Sequence, residues 1–211
     1  MGKTGRVTRA SIVGSGPNGL AAAVVLARAG LKVTVHEAET TVGGGTRTLE
    51  LTLPGFRHDL CSAVHPMALS SPFFRAFGLT ERIEYLVPEM SYAQAIAPGV
   101  SAYAWRDLDR TAAGLGPDER RWRSMFAAFA DDINRLSDVT LSHMLGAWRD
   151  LPTLTRIGTR TLRTVLPGGG WRGDAARALF AGVAAHGIAR LPSLGSGAVG
   201  LALAADAHAG G

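Results

Sequence analysis

Apolar and polar positions follow their clearest pattern over residues 9–38, where they predict a strand, a helix and a second strand. A short apolar run is followed by a glycine-rich turn, an Ala/Leu-rich helix that starts near Pro17, another apolar run and then Glu37. This order is the βαβ pattern of dinucleotide-binding proteins. The sequence therefore predicts an α/β fold that begins with a Rossmann-type βαβ unit.

Each glycine of the turn has a physical role in that pattern. Gly14 allows a sharp turn off the strand, Gly16 lets a pyrophosphate approach the backbone, and Gly19 lets the helix pack close to the strands. The helix N-terminus at Pro17 and Asn18 directs free N–H groups and the positive end of the helix dipole at the phosphates. An α/β domain that only needs a glycine turn is the alternative, and the complete βαβ frame favours dinucleotide binding over it.

An acid ends the second apolar run. Glu37, followed by Ala38, lies at the expected distance of roughly twenty residues from the glycines, where a carboxylate accepts hydrogen bonds from ribose hydroxyls. An acid at this place disfavours the 2′-phosphate of NADP. We therefore assign Glu37 and Ala38 to the predicted cofactor site.

A second glycine-rich segment follows closely. Its residues are Gly43, Gly44, Gly45, Thr46 and Arg47. Such a loop can wrap the far side of a pyrophosphate while the arginine neutralises charge; a flexible glycine linker is the alternative. A site with two such loops favours FAD over NAD as the cofactor.

Together the two motifs resemble the N-terminus of the phytoene-desaturase-like flavoprotein oxidoreductases, a branch of the amine-oxidase-type FAD superfamily. The similarity continues through PGFRHDLCSAVHPM (54–67), SPFFRAFGL (71–79) and FAGVAAHGIARLP (180–192). The second motif of that family has the form Leu-Gly-Gly-Arg. Here Gly45 stands at the place of the arginine, and we expect Arg47 to take its role.

The resemblance implies a FAD-dependent oxidoreductase that removes or shifts hydrogens on an apolar, polyene-like substrate. Members of the family are more than twice as long as this chain. We therefore expect residues 1–80 to be an incomplete FAD-binding region and residues 81–211 to be a partial α+β substrate domain, mostly helical after 107. Because a flavin carries the redox chemistry itself, we expect no catalytic triad and assign no catalytic residue.

Two other functions stay open. A βαβ unit without later strands exposes a sheet edge and apolar surface, so the chain is alternatively a non-catalytic or partner-dependent subunit, completed by another chain or by a second copy. An NAD-dependent dehydrogenase explains the first glycine motif but not the glycine loop at 42–48.

Further strands are predicted beyond the glycine loops. Residues 51–56 form a candidate strand that ends in a Pro-Gly turn. The pattern also predicts strands over 83–87, 92–96 and 101–105, with a turn at 97–100.

Helices are predicted to dominate from Pro117 onward. A proline followed by two acids is typical of a helix N-terminus. One apolar stripe follows at spacings of three and four: Trp122, Met125, Phe126, Phe129, Ile133 and Leu136. Further helices are predicted over 141–149, 153–165, 174–188 and 196–208, with a break at Gly168–Gly170 and Ser196 as the cap of the last helix.

Composition supports a folded protein, since apolar residues make up 46% of the chain. The single cysteine, Cys61, excludes an internal disulfide, and its apolar context predicts a buried and inert thiol. No run approaches the roughly twenty apolar residues of a membrane span. We therefore predict a cytoplasmic protein.

The net charge of +5 is concentrated in two late groups of arginines, Arg120, Arg121 and Arg123, and Arg156, Arg160 and Arg163. Their spacing predicts a solvated helix face, with peripheral contact to anionic lipid as the alternative. Basic residues with interleaved aromatics in a recognisable module are missing, so no nucleic-acid partner is predicted. His58, Asp59 and His65 match no standard ligand spacing, so no metal is predicted either.

Overall fold

The computed structural model describes residues 8–141, 148–166 and 170–210. The chain divides into two compact units, Met1–His65 (unit 1) and Pro66–Gly211 (unit 2). The predicted division by role, into residues 1–80 and 81–211, stays a prediction.

Unit 1 begins with a βαβ element. Strands β1 (Arg9–Val13) and β2 (Lys32–His36) pair in parallel, and helix α1 (Pro17–Arg28) connects them. Parallel neighbours need a crossover connection, which α1 supplies. Side chains along both strands alternate between exposed and half-buried positions. The predicted βαβ unit and the α/β fold class are confirmed.

A short hairpin completes unit 1. Strands β3 (Thr48–Glu50) and β4 (Arg57–Asp59) pair antiparallel. The predicted strand at 51–56 is wrong, because these residues form the connection between the two strands. Its Pro-Gly turn is present, and Gly55 adopts a left-handed φ of 85° that reverses the chain.

Unit 2 contains an antiparallel sheet of its own. Strands β5 (Met90–Ala97) and β6 (Val100–Trp105) pair across the turn at Pro98-Gly99, as predicted. The predicted strand at 83–87 is wrong, and these residues form no regular element. Leu86 in this segment is 87% exposed, which shows that its apolar side chain does not pack against a sheet.

Helices make up most of the rest of unit 2. They are α2 (Pro72–Phe77), α3 (Leu108–Ala113), α4 (Glu119–Ala130), α5 (Ile133–Thr140), α6 (Leu151–Val165), α7 (Asp174–Ala184) and α8 (Leu194–Ala209). Three of the late helices were predicted to within a few residues. The predicted helix at 141–149 and the break at 168–170 fall largely outside the described residues.

The predicted apolar stripe is buried, but it spans two helices. Trp122, Phe126 and Leu136 are at most 1% exposed. The helix predicted near Pro117 ends at Ala130, and α5 begins after Asp132, whose carboxylate accepts a hydrogen bond from the Arg135 N–H. The stripe therefore faces the core of unit 2 from two helices, which are separated by a break at the N-cap residue Asp132.

The cap of α8 differs from the prediction by one turn. Ser193 is the N-cap residue, and its hydroxyl accepts a hydrogen bond from the Ser196 N–H. The Ser196 hydroxyl accepts one in return from the Ser193 N–H. Ser196 is thus the reciprocal member of a capping box rather than the cap itself.

Candidate dinucleotide-binding site

The first glycine loop joins β1 to α1. Gly14 has a φ of 93°, and its N–H donates a hydrogen bond to the His36 carbonyl at 2.7 Å, which extends the pairing of the two strands. Ser15 is buried behind it, and Gly16 is the N-cap residue of α1. The chain thereby turns directly from the carboxyl end of β1 into the helix.

Gly19 lies where α1 touches this loop. A Cβ atom at Gly19 would lie only 2.1 Å from the Gly14 carbonyl oxygen and 3.5 Å from Cγ2 of Ile12. Real Cβ atoms do not approach a carbonyl oxygen so closely, so any side chain here must displace backbone. The first turn of α1 is held against the end of β1 in a way that only glycine permits.

The N-terminus of α1 has unused donors. No side chain caps it, Pro17 has no N–H, and the first intrahelical bond runs from the Leu20 N–H to the Gly16 carbonyl. The N–H groups of Asn18 and Gly19 therefore lack an acceptor within the helix. Free N–H groups at the positive end of a helix dipole are suited to binding an anion.

Glu37 follows β2, and residues of unit 1 already hold its carboxylate. One oxygen accepts hydrogen bonds from the Ser15 N–H at 2.7 Å and from the Ser15 hydroxyl, and the other accepts from the Glu39 N–H at 3.0 Å. The Ser15 hydroxyl, followed by the backbone N–H groups of Glu39, Ser15 and Ala38, lowers the pKa of Glu37 to about 2. The three hydrogen bonds from Ser15 and Glu39 fill three of roughly four acceptor positions on the carboxylate, which leaves one for a ribose hydroxyl.

The second glycine loop is a tight turn. Gly43 and Gly44 have φ values of 119° and 54°, and a short 3₁₀ turn spans Gly44–Thr46. The Thr46 hydroxyl donates to the Gly43 carbonyl at 2.7 Å. This segment is therefore an ordered turn, which does not fit the alternative of a flexible linker.

Arg47 is held at the base of that turn. Its Nε–H donates to the Gly44 carbonyl at 2.9 Å, and Nη1 lies 3.5 Å from both the Glu39 carboxylate and the Thr41 hydroxyl. The Nη2 group has no partner in the described part of the chain. Arg47 thus keeps donors available for a ligand, although its charge is partly balanced by Glu39.

The two glycine loops pack backbone against backbone. The Gly43 N–H donates to the Ser15 carbonyl at 3.0 Å, and a Cβ atom at Gly44 would lie 2.9 Å from the Gly16 Cα. Gly45 is tied to the chain after β4, because its carbonyl accepts the Ser62 N–H at 2.9 Å. The structure thus gathers both glycine motifs at the carboxyl end of β1, where open α/β sheets bind ligands.

Sequence patterns missed Ser15, which links the whole site. It donates twice to Glu37, and its carbonyl accepts from the second loop. A serine between two glycines is a weak signal by itself. Its role depends on contacts 22 residues away along the chain.

The prediction of a buried Cys61 is wrong. The Cys61 thiol is exposed, and its Cβ would lie 3.3 Å from a Cβ atom placed at Gly45. The chain after β4 runs along the second glycine loop, and Cys61 faces solvent because no other element described in unit 1 covers it.

Three polar residues near the hairpin make ordinary side-chain hydrogen bonds. His58 pairs with the Thr52 hydroxyl at 2.8 Å, and Asp59 accepts from the Thr48 hydroxyl at 2.6 Å. His65 lies 3.4 Å from the Ser62 hydroxyl. Among the described residues, no group of three His, Cys, Asp or Glu side chains could hold a metal ion.

The Glu37 network predicts a pH dependence for unit 1. Because the folded-state pKa of Glu37 lies below its ordinary value of 4.5, the network stabilises the fold above that pH, and the stabilisation is lost as the pH falls from 4.5 towards 2. Carbon NMR of the side-chain carboxyl groups should give a Glu37 midpoint of about 2. Ser15→Ala should raise that midpoint, because the Ser15 hydroxyl is the largest cause of the shift.

The matched control is Ser11→Ala, which removes an exposed hydroxyl from β1. It should leave the Glu37 midpoint unchanged. A wild-type midpoint at the ordinary value of 4.5 would contradict the network.

Two buried titratable side chains lie on α8 in unit 2. His208 accepts a hydrogen bond from the Trp122 indole at 2.9 Å and donates from Nδ1 to the Trp105 carbonyl at 2.8 Å, and burial lowers its pKa. One donor and one acceptor are the needs of a neutral imidazole. Asp206 is 1% exposed, and burial raises its pKa to about 6, while the nearby Ser70 hydroxyl opposes this without reaching hydrogen-bond geometry.

Asp206 predicts a second pH dependence, of opposite sign to that of Glu37. The folded chain holds a proton on Asp206 between its ordinary pKa of 3.8 and about 6, so the free energy of unfolding falls as the pH rises through this window. Asp206→Asn should reduce the difference in unfolding free energy between pH 4 and pH 7 by about 2 kcal/mol. Urea denaturation followed by tryptophan fluorescence measures it, because all four tryptophans lie in unit 2.

The control for that measurement is Asp131→Asn at an exposed position of the same unit. It should keep the wild-type pH dependence. Equal behaviour of the two variants would show that Asp206 does not cause the effect.

Comparison with known proteins supports the assignment of the N-terminal region. Residues 12–77 match the family of NAD(P)-binding Rossmann-like domains. No curated protein matched the chain. In the ranges that the structure describes, no helix combines the length and the apolar character needed to cross a membrane. The matched segment contains both glycine loops and Glu37, and the chain therefore carries a Rossmann-like dinucleotide-binding domain.

Proposed function

We propose that unit 1 binds the ADP half of FAD, and that the protein is a FAD-dependent oxidoreductase of the phytoene-desaturase-like type. The observation that carries this proposal is the packing of the second glycine loop on the first, with Gly44 against Gly16. A single glycine loop suffices to hold the pyrophosphate that NAD and FAD share. A second loop with an arginine adds contacts to the far side of that pyrophosphate, and this addition favours FAD.

The residues of unit 1 fit the group. The N–H groups of Asn18 and Gly19 would face the pyrophosphate, and the remaining acceptor position of Glu37 would face the ribose. Arg47 would contribute the Nη2 donors that no described residue uses. Bound flavin would supply the redox chemistry for an apolar, polyene-like substrate, while the protein binds and orients it.

Titration of the purified full chain with FAD tests the proposal. We expect flavin absorbance bands that shift on binding, and displacement of FAD by ADP because the site holds the ADP half. NAD should compete more weakly than FAD. Binding of NAD that equals or exceeds that of FAD would contradict the choice of cofactor and favour an NAD-dependent dehydrogenase.

A matched pair of glycine variants tests the second loop. Gly44→Ala places a Cβ atom 2.9 Å from the Gly16 Cα at a φ of 54°, whereas Gly30→Ala adds one at a φ of 86° with no atom within 4 Å. Both variants carry backbone strain, but only the first separates the loops. Weakened FAD binding in Gly44→Ala alone supports the two-loop site, and equal weakening in both contradicts it.

A partner-dependent subunit is the second candidate, and the exposure of unit 1 favours it. Helix α1 has no buried residue, and Val13 and Val25 are 89% and 54% exposed. Parallel strands are normally covered on both faces. A completing chain or a second copy would cover these side chains, and sedimentation velocity should then show an oligomer or aggregate. A monodisperse monomer would contradict this candidate.

A further inference from the structure

An open cavity of about 640 Å³ lies in unit 2. Its lining includes Arg120 and Arg121 from α4, Arg163 from α6 and Arg172 from the segment before α7. The first three belong to the two arginine groups of the sequence that predicted solvated helix faces. Folding places them around one concave surface, where Arg120 and Arg163 stay exposed.

Among the described residues that line the cavity, Asp118 is the only acid, and it is already engaged. Asp118 is fully buried, and its carboxylate accepts the Arg172 N–H at 2.9 Å and the Gly173 N–H at 2.6 Å. These bonds hold the start of α7. The Asp118 carboxylate therefore binds backbone N–H groups and not the guanidinium groups of the cavity.

Other acids do not neutralise these arginines. All 17 carboxylate side chains of the chain lie in the described ranges, and none forms an ion pair with the four arginines of the cavity. The neighbouring Arg123 differs, because it pairs with Asp109 and Glu119. The cavity therefore keeps an excess of positive charge.

Arg160 is a further arginine on the same helix as Arg163, outside the cavity lining. Arg160 donates to the Ser124 carbonyl at 3.2 Å and lies 4.9 Å from the centre of the Phe129 ring. Burial lowers the pKa of Arg160, and the like charges of Arg156 and Arg163 lower it further. Mutual repulsion of this kind is relieved by a multivalent anion.

We propose that this cavity binds a phosphate ester. Guanidinium groups match phosphate oxygens with paired N–H donors. The volume falls in the range of small-molecule sites, and Pro117 and Met125 add apolar lining for the organic part of the ligand. The inference goes beyond the dinucleotide site, because every lining residue belongs to unit 2. The phosphate comes either from a soluble organic phosphate or from a phospholipid headgroup.

Calorimetric titration of the full chain with inorganic pyrophosphate at fixed ionic strength tests the proposal. We expect the Kd to rise about tenfold or more in the double variant Arg163→Gln with Arg172→Gln. Both side chains are on exposed residues, so the variant should fold, as circular dichroism can verify. The single variant Arg120→Gln provides a second readout of the same cavity.

The matched control removes two exposed arginines outside the cavity, as Arg149→Gln with Arg190→Gln. It should change the Kd less than about twofold, since neither side chain lines the cavity and salt screens exposed charges that do not touch the ligand. Absent pyrophosphate binding in the wild type, or equal weakening in the two double variants, overturns the proposal.

Two further arms locate the phosphate and identify its source. If Gly44→Ala loses pyrophosphate binding and the double variant Arg163→Gln with Arg172→Gln retains it, the phosphate binds at the glycine loops. That result would overturn the proposal. A lipid headgroup would be the source if the wild type sediments with phosphatidylglycerol vesicles but not with phosphatidylcholine vesicles. This sedimentation should then disappear in the double variant Arg163→Gln with Arg172→Gln. Pyrophosphate binding at the cavity without such sedimentation would assign the phosphate to a soluble ester.

Discussion

Gly19→Ala should weaken dinucleotide binding by the full chain about 100-fold. The added Cβ atom would lie 2.1 Å from the Gly14 carbonyl oxygen, so either α1 or the Gly14 peptide must move. Moving that peptide weakens the hydrogen bond from the Gly14 N–H to the His36 carbonyl, and moving α1 withdraws the N–H groups that would face a bound pyrophosphate. Overpacking on this scale costs about 3 kcal/mol, or about 100-fold in affinity. Titration with FAD measures the loss.

The control for Gly19→Ala is Ala22→Ser, which also adds one heavy atom to α1 but at an exposed position. We expect it to bind within about twofold of the wild type. Tryptophan fluorescence should be unchanged in both variants, because all four tryptophans report on unit 2. Wild-type affinity in Gly19→Ala would show that the close approach of α1 to β1 does not determine binding.

Trp122→Ala should lower the free energy of unfolding of unit 2 by about 4 kcal/mol. The Trp122 side chain is fully buried, with ring centres 4.7 Å from Phe126 and 5.0 Å from Trp171. Truncation leaves a cavity at the centre of the core and also leaves the buried Nε2 of His208 without its donor. Urea denaturation followed by the fluorescence of the remaining tryptophans measures the change.

Two comparisons separate the causes of that loss. Trp122→Phe keeps an aromatic ring but removes the indole N–H, so we expect an intermediate loss of about 2 kcal/mol. Trp148→Ala removes a side chain that is 64% exposed and should cost less than about 0.5 kcal/mol. A similar cost for Trp122→Ala and Trp148→Ala would contradict the assignment of Trp122 to the core.

The glycine positions of the site could be predicted because their reasons are local. A chain that turns from a strand into a helix needs Gly14, and close packing of the helix on the strand needs Gly19. Glu37 illustrates the limit of such reasoning. Its position after β2 was predicted, but its engagement with Ser15 was not, since that contact joins residues 22 positions apart.

Errors in the predicted elements have a similar origin. The apolar residues of 51–56 and 83–87 suggested strands, yet strand formation depends on a paired partner and on a face to cover. The first segment connects β3 to β4, which pair with each other, and the second pairs with no strand within the described residues. Cys61 was likewise predicted to be buried from the apolar residues beside it in the sequence, but it is exposed.

The sequence by itself determined the βαβ unit, both glycine motifs and the apolar stripe of α4 and α5, because turn sterics and side-chain periodicity act between residues close in the chain. Only the tertiary structure decided that Gly44 packs on Gly16, that Ser15 holds Glu37, and that Arg163 joins Arg120 around one cavity. These contacts depend on how distant segments meet. Which charged and apolar residues of distant segments come together is set by the path of the whole backbone, and no local sequence pattern encodes that path.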